Sequence, residues 1–166
     1  MRKRIFWNIF LSSLIAALLL GGVILFAQYS MFESLVFAEL SSECRYVEIG
    51  LASATDENAY LKSLPANDRV TLITADGTVL FDTSSDASKL ENHADRPEFI
   101  AAKSIGVGTS SRFSETQLIR NFYYARLQPD GRVLRIATSQ KSVLGMLGSL
   151  LPTMLVILLA ILVISA

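Results

Sequence analysis

Only one cysteine, one histidine and one tryptophan occur in the 166 residues, with four prolines. A lone cysteine closes no disulfide within the chain, so the fold must be held by its core. Cys44 reads as a buried small hydrophobe, the alternative being a bond to Cys44 of a second copy. A single histidine with no cysteine near it leaves no zinc ligand set, so no metal and no cofactor are expected. No serine–histidine–acid spacing and no phosphate-cradling glycine loop appears, so no catalytic residue is assigned. Fifteen basic and fifteen acidic residues cancel, and with no basic surplus a nucleic-acid partner is not expected.

What the chain has instead is two long stretches without any charge. The mean hydropathy of +0.43 averages over 28 uncharged residues at 5–32, another 25 at 142–166, and a charged segment between them. About 20 apolar residues cross a bilayer, and each run is long enough. The first is nearly twice a signal-peptide core, so an uncleaved anchor is expected rather than a leader cut at 36–38. Arg2, Lys3 and Arg4 precede it, and the middle segment, 33–141, holds all 15 acidic and 12 of the 15 basic residues. The positive-inside rule then puts residues 1–4 in the cytoplasm, 33–141 outside, and both termini inside. The 109 residues of the outer segment suffice for one small domain. The second run has no charged flank after it, which reads as a chain cut short after Ala166.

Periodicity gives the outer segment an α+β order. Val36, Leu40, Cys44, Val47, Leu51 and Ala54 recur every three or four residues, one face of a helix continuing outward from the first apolar run. That stripe faces either the domain's own sheet or a second copy. A turn cluster at 64–68 ends it. Residues 69–82 read as two strands around Ala75-Asp76-Gly77, a hairpin signal. A polar loop covers 83–89. Strands at 120–127 and 132–138 flank Gln128-Pro129-Asp130-Gly131, where proline presets φ and glycine supplies a positive one. A further strand is expected at 109–114. The sum is a long N-terminal helix, a short helix and an antiparallel sheet.

The densest stretch is Leu90 to Phe113, LENHADRPEFIAAKSIGVGTSSRF. Asp95-Arg96-Pro97-Glu98 has the spacing of a helix start, with Asp95 as cap, Glu98 completing a capping box and Pro97 in the first turn. Gly106 is placed to stop that helix in the left-handed conformation. These four residues are structural on this reading. His93, by default a solvated or hydrogen-bonded loop histidine, is joined by Arg96 near the helix start and Arg112 on the next strand. Together with Tyr124 they form a candidate pocket for a small anion. The rival is that both arginines only pair with Glu91, Asp95, Glu98 or Glu115.

The run Asn92-His93-x-x-Arg96-Pro97-Glu98-Phe99, then Gly106-x-Gly108-x-Ser110-x-Arg112-x-Ser114-x-Thr116, then Tyr124-Ala125, resembles the extracytoplasmic sensor domain of bacterial two-component sensor histidine kinases. Those of the phosphate-regulon and cell-wall-stress type are the nearest likeness. The resemblance covers the whole chain and implies a PAS-like domain bracketed by two transmembrane helices in a bacterial plasma membrane. It further implies a homodimer through the transmembrane and N-terminal helices, an extracellular ligand of unknown identity, and a response regulator reached through a cytoplasmic kinase not contained in these residues. His93 is not a phosphoacceptor: its H-x-x-x-P spacing departs from the histidine box, and it lies on the outer side. The chain would sense and relay but not phosphorylate. Chemoreceptors and cyclic-dinucleotide synthases use similar outer domains, and a tethered binding protein that signals nothing is the rival of another class.

Overall fold

The computed structural model describes residues 2–65, 68–114, 119–141, 152–161 and 163. With no proline before Pro65, nothing breaks the first helix, and α1 runs without interruption over Arg2–Ser53. Its apolar part has a mean hydropathy of 2.6, is unburied, and is long and apolar enough to cross a membrane. The described residues of the second apolar run form a shorter apolar helix, α4, over Pro152–Ile161. The rest of that expected span, residues 142–151, 162 and 164–166, lies outside the described residues. The chain divides into two compact units, one comprising the first part of α1 with α4, the other spanning Leu35–Lys141.

In the second unit a two-turn helix, α2 (Glu57–Ser63), follows α1 and was not expected from the sequence. Its start is fixed by Asp56, whose side chain accepts from the Ala59 N–H at 3.0 Å, the usual way a cap satisfies an orphan donor. Residues 66 and 67 of the expected turn cluster lie outside the described residues. Then come β1 (Arg69–Ile73), β2 (Val79–Asp82), a 3-10 turn (Ala87–Lys89), α3 (Pro97–Ile105), β3 (Val107–Ser114), β4 (Ile119–Leu127) and β5 (Val133–Lys141). Five antiparallel strands form one sheet in the order β2-β1-β5-β4-β3. The α+β order, the long N-terminal helix and both hairpins agree with the sequence reading.

Strand alternation sends successive side chains to opposite faces, and the register aligns them across strands. On one face Val70 and Leu72 of β1, Leu134 and Ile136 of β5, and Phe122 and Tyr124 of β4 lie side by side. The α1 stripe covers this face. Val36, Leu40, Cys44, Val47 and Leu51 are all buried, Cys44 completely. Phe37 meets Phe122 edge to face at 5.6 Å. Ser41 donates to the Tyr124 hydroxyl at 3.1 Å, and Arg126 pairs with Glu48 at 3.4 Å. Of the two partners open to the stripe, it takes the domain's own sheet. Ala54 is the exception, lying just past the end of the helix. Burial pushes the Cys44 thiol up to about 12, so it is an inert packing residue.

The other face is apolar only at one end. Ile73, Ala125 and Val133 form a cluster there with Phe99 and Ala102 of α3. Gly108 allows α3 this close, because a Cβ on it would overlap the Glu98 carbonyl and the Ala102 N–H. Gly106 ends α3 with φ 86°, donating its N–H to the Ala102 carbonyl at 2.9 Å. The left-handed stop expected there is present.

Candidate functional site

Beyond the α3 cluster the same sheet face turns charged. Arg69 and Thr71 on β1, Arg135 on β5, Tyr123 on β4, and Ser110 and Arg112 on β3 line up across the register. A loop from the 3-10 turn to the start of α3 forms the opposite wall. Together they enclose a cleft of about 330 Å³ lined by Arg69, Lys89, Leu90, Glu91, His93, Arg96, Arg112, Tyr123 and Arg135.

The loop is held by the first hairpin. The Asn92 amide donates to the Asp76 carbonyl at 3.0 Å, and the His93 N–H donates to the Gly77 carbonyl at 2.8 Å. Asn92 also accepts from the Ala94 N–H at 2.8 Å, and the Arg96 N–H donates to the His93 carbonyl at 3.1 Å. These four bonds leave the His93 ring packed inward, 6% exposed. They explain why asparagine and histidine stand together here: one side chain ties the loop down and the other fills the space beneath it.

Asp95 does not cap α3. The cap position is Arg96, with no side-chain cap bond, and Pro97 opens the helix. The capping-box reading of Glu98 is corrected with it. Glu98 is fully buried and turns to the sheet rather than back along the chain. It accepts from the Ser110 hydroxyl at 2.6 Å and from Arg112, and Arg135 lies 3.5 Å from its other oxygen. Three donors on two strands outcompete a single backbone N–H at a helix end. Burial raises the Glu98 pKa, but the bonds from Ser110, its own N–H and Arg112 outweigh burial and hold it below the ordinary carboxylate value.

A relay of contacts runs on from Arg135, which is 3% exposed. It donates to the Thr71 hydroxyl at 3.1 Å, Thr71 donates to Asp82 at 2.8 Å, and Asp82 takes Arg69 Nε at 2.8 Å. Arg112 and Arg135 also stack over the Tyr123 ring, 4.5 and 5.4 Å from its centre, a cation–π arrangement. Burial lowers the pKa of Arg135, with Glu98 pulling the other way. His93 falls to about 4, first through burial and then through Arg135, Arg96 and Arg69. Near neutral pH its imidazole is therefore uncharged among cations.

Of the four candidate ligand residues, the structure brings His93, Arg96 and Arg112 into one cleft. Tyr124 is not among them: its parity on β4 sends it to the α1 face, where it meets Ser41. Tyr123, one residue earlier, is the aromatic floor. Arg69, Lys89 and Arg135 supply the rest of the cleft's positive charge and were missed by sequence reasoning. The available signal was Arg135, a lone charge inside the apolar strand Val133-Leu134-Arg135-Ile136-Ala137. Glu115 and Thr116 of the motif lie outside the described residues. Among the described residues no group of histidine, cysteine and carboxylate side chains is arranged to hold a metal ion. Guanidinium groups bind oxyanions in a fixed fork and stay charged at ordinary pH, so this cleft is suited to holding an anion. No protein-family model matches the chain, and no curated protein or solved structure matches it.

Proposed function

We propose that the chain is the input half of a membrane-anchored bacterial sensor histidine kinase, with a PAS-like outer domain between two transmembrane helices. The observation that carries this reading is α1. One uninterrupted helix contributes its apolar first part as a candidate span and its later part, 36–51, as one wall of the folded domain's core. A change in the sheet's packing against that wall therefore acts on the same helix that enters the membrane. Helix shifts of about 1–2 Å are a known currency of such relays, and packed interfaces switch between discrete arrangements rather than deforming smoothly. A ligand would bias two states by no more than its difference in affinity for them. The working unit is a homodimer, and the response regulator is reached through the kinase module.

The test is the coding sequence downstream of Ala166. A phosphoacceptor-histidine helix followed by an ATP-binding domain is expected. Continuation into a methylated coiled coil or a nucleotide-cyclising domain would assign the same outer domain to a chemoreceptor or a cyclic-dinucleotide synthase. A natural stop there would favour a tethered binding protein.

A further inference from the structure

We infer that the cleft under the His93 loop is a binding site for a small oxyanion of charge −2 or more, gripped by Arg96, Arg112 and Arg135 with Lys89 at its rim. The inference goes beyond the sensor reading and does not require it.

Charge is the first ground. Five cationic side chains line the cleft, and one carboxylate, Glu91, lines it with them. Two more lie beneath, Asp82 on Arg69 and Glu98 on Arg112 and Arg135. Two positive charges remain without a close buried partner. Glu91 and Asp95 approach Arg96 only at 3.8 and 3.7 Å from side chains 89% and 81% exposed, and Asp86 reaches Lys89 at 3.6 Å. Solvent-exposed pairs of this kind contribute little.

Unmet hydrogen-bonding capacity is the second ground. His93 Nδ1 and Arg135 Nε are buried with no hydrogen bond among the described residues, and so is Arg96 Nε. His93 and Arg135 are each more than nine-tenths buried. A buried polar group left without a bond is destabilising, and an oxygen-rich anion satisfies several at once. Three guanidinium groups and a neutral imidazole around one space favour planar or tetrahedral oxyanions, whose several acceptor oxygens can take charge-assisted bonds from more than one direction.

Size and polarity narrow the class. A space of about 330 Å³ is at the small end of ligand pockets. Leu90 is the one aliphatic residue in the lining, so an acyl chain finds no apolar wall. Phosphate and compact polycarboxylates share the chemistry that fits.

The experiment is calorimetric titration of the full chain in detergent micelles, at neutral pH and fixed ionic strength, with inorganic phosphate, citrate and acetate. Saturable binding of phosphate or of citrate, with acetate at least tenfold weaker, is expected, and which of the two binds assigns a phosphoryl or a carboxylate ligand. Arg96→Gln should weaken that binding about tenfold or more, since charge-assisted bonds are roughly twice as strong as neutral ones. Lys89→Gln, at a side chain 81% exposed and without risk to folding, should weaken it about threefold. Lys103→Gln, on α3 but outside the cleft lining, should leave it unchanged. No saturation with either polyvalent anion, acetate binding equally well, or equal affinity in wild type, Arg96→Gln and Lys89→Gln would overturn the inference.

Discussion

The two faces of the five-stranded sheet are built on opposite principles. Toward α1, Val70, Leu72, Phe122, Leu134 and Ile136 meet Val36, Leu40, Cys44, Val47 and Leu51, all buried and all apolar. Toward the cleft, the same strands present Arg69, Thr71, Tyr123 and Arg135, joined by Arg112 of β3, to a buried glutamate and a buried aspartate. The first arrangement is what folding alone favours, since burial of apolar area stabilises without regard to direction. The second is not. Desolvating paired charges is often no better than packing hydrophobic residues of the same size, and sometimes worse by about 1–4 kcal/mol. A sheet able to build one apolar face is able to build two, and the anion site inferred above would give the charged face its reason.

The comparison is broken most severely by removing one member of the buried ion network. Glu98→Leu strands Arg135 and Arg112 without their carboxylate and should lower the stability of the outer domain by about 3–5 kcal/mol, read from the denaturant midpoint of the full chain. Leu40→Ala tests the apolar face and should cost about 2–5 kcal/mol, from lost transfer energy plus a cavity. Unlike Glu98→Leu, it should leave anion affinity unchanged.

A pH series sharpens the contrast. The folded pKa of His93, about 4, lies below its ordinary value of 6.5 because of burial and the facing Arg135, Arg96 and Arg69, with Glu98 opposing them weakly. The unfolded chain therefore takes up the proton first. Stability from this group is complete above about pH 6.5 and is lost as pH falls toward 4, by up to about 3 kcal/mol. Glu43 works in the opposite sense: burial, then Asp68 and Glu39, raise it to about 7. The difference between wild type and His93→Gln isolates the histidine, and equal slopes in the two would remove it from the cationic environment described. The smallest expected effect is at the helix stop. Gly106 has φ 86° and open space where a Cβ would go, so Gly106→Val should cost about 1 kcal/mol or more through backbone strain alone.

The features legible in the sequence were those set by short-range chemistry. Pro97 and Gly106 bracket α3 because proline fixes its own φ and glycine tolerates a positive one, and Gly77 and Gly131 mark the two hairpins, with φ 91° and 86°, for the latter reason. The α1 stripe was legible because five of its residues face a single surface. What was hidden depends on parity and on competition. Tyr123 and Tyr124 are indistinguishable until register says which one faces α1. Glu98 has the spacing of a cap, but Ser110, Arg112 and Arg135, 12 to 37 residues away, offer it more bonds than a helix end does. The short α2 buries only Leu61, too little to leave a periodic pattern. Of the residues that carry the resemblance, Asn92 and His93 tie a loop to a hairpin, and Glu98 ties α3 to the sheet.

The division of labour between the two faces is tested most directly by making the second face resemble the first. In the triple variant Glu98→Leu, Arg112→Leu, Arg135→Met the Glu98 cluster is removed whole while Arg69 and Asp82 keep each other, so no charge is left without its partner. Its denaturant midpoint should correspond to a stability within about 1 kcal/mol of wild type, or above it, while binding of whichever of phosphate and citrate the wild type takes disappears. A triple variant that loses about 3 kcal/mol or more, as Glu98→Leu alone is expected to, would mean that the charges hold the fold together, and would contradict the account.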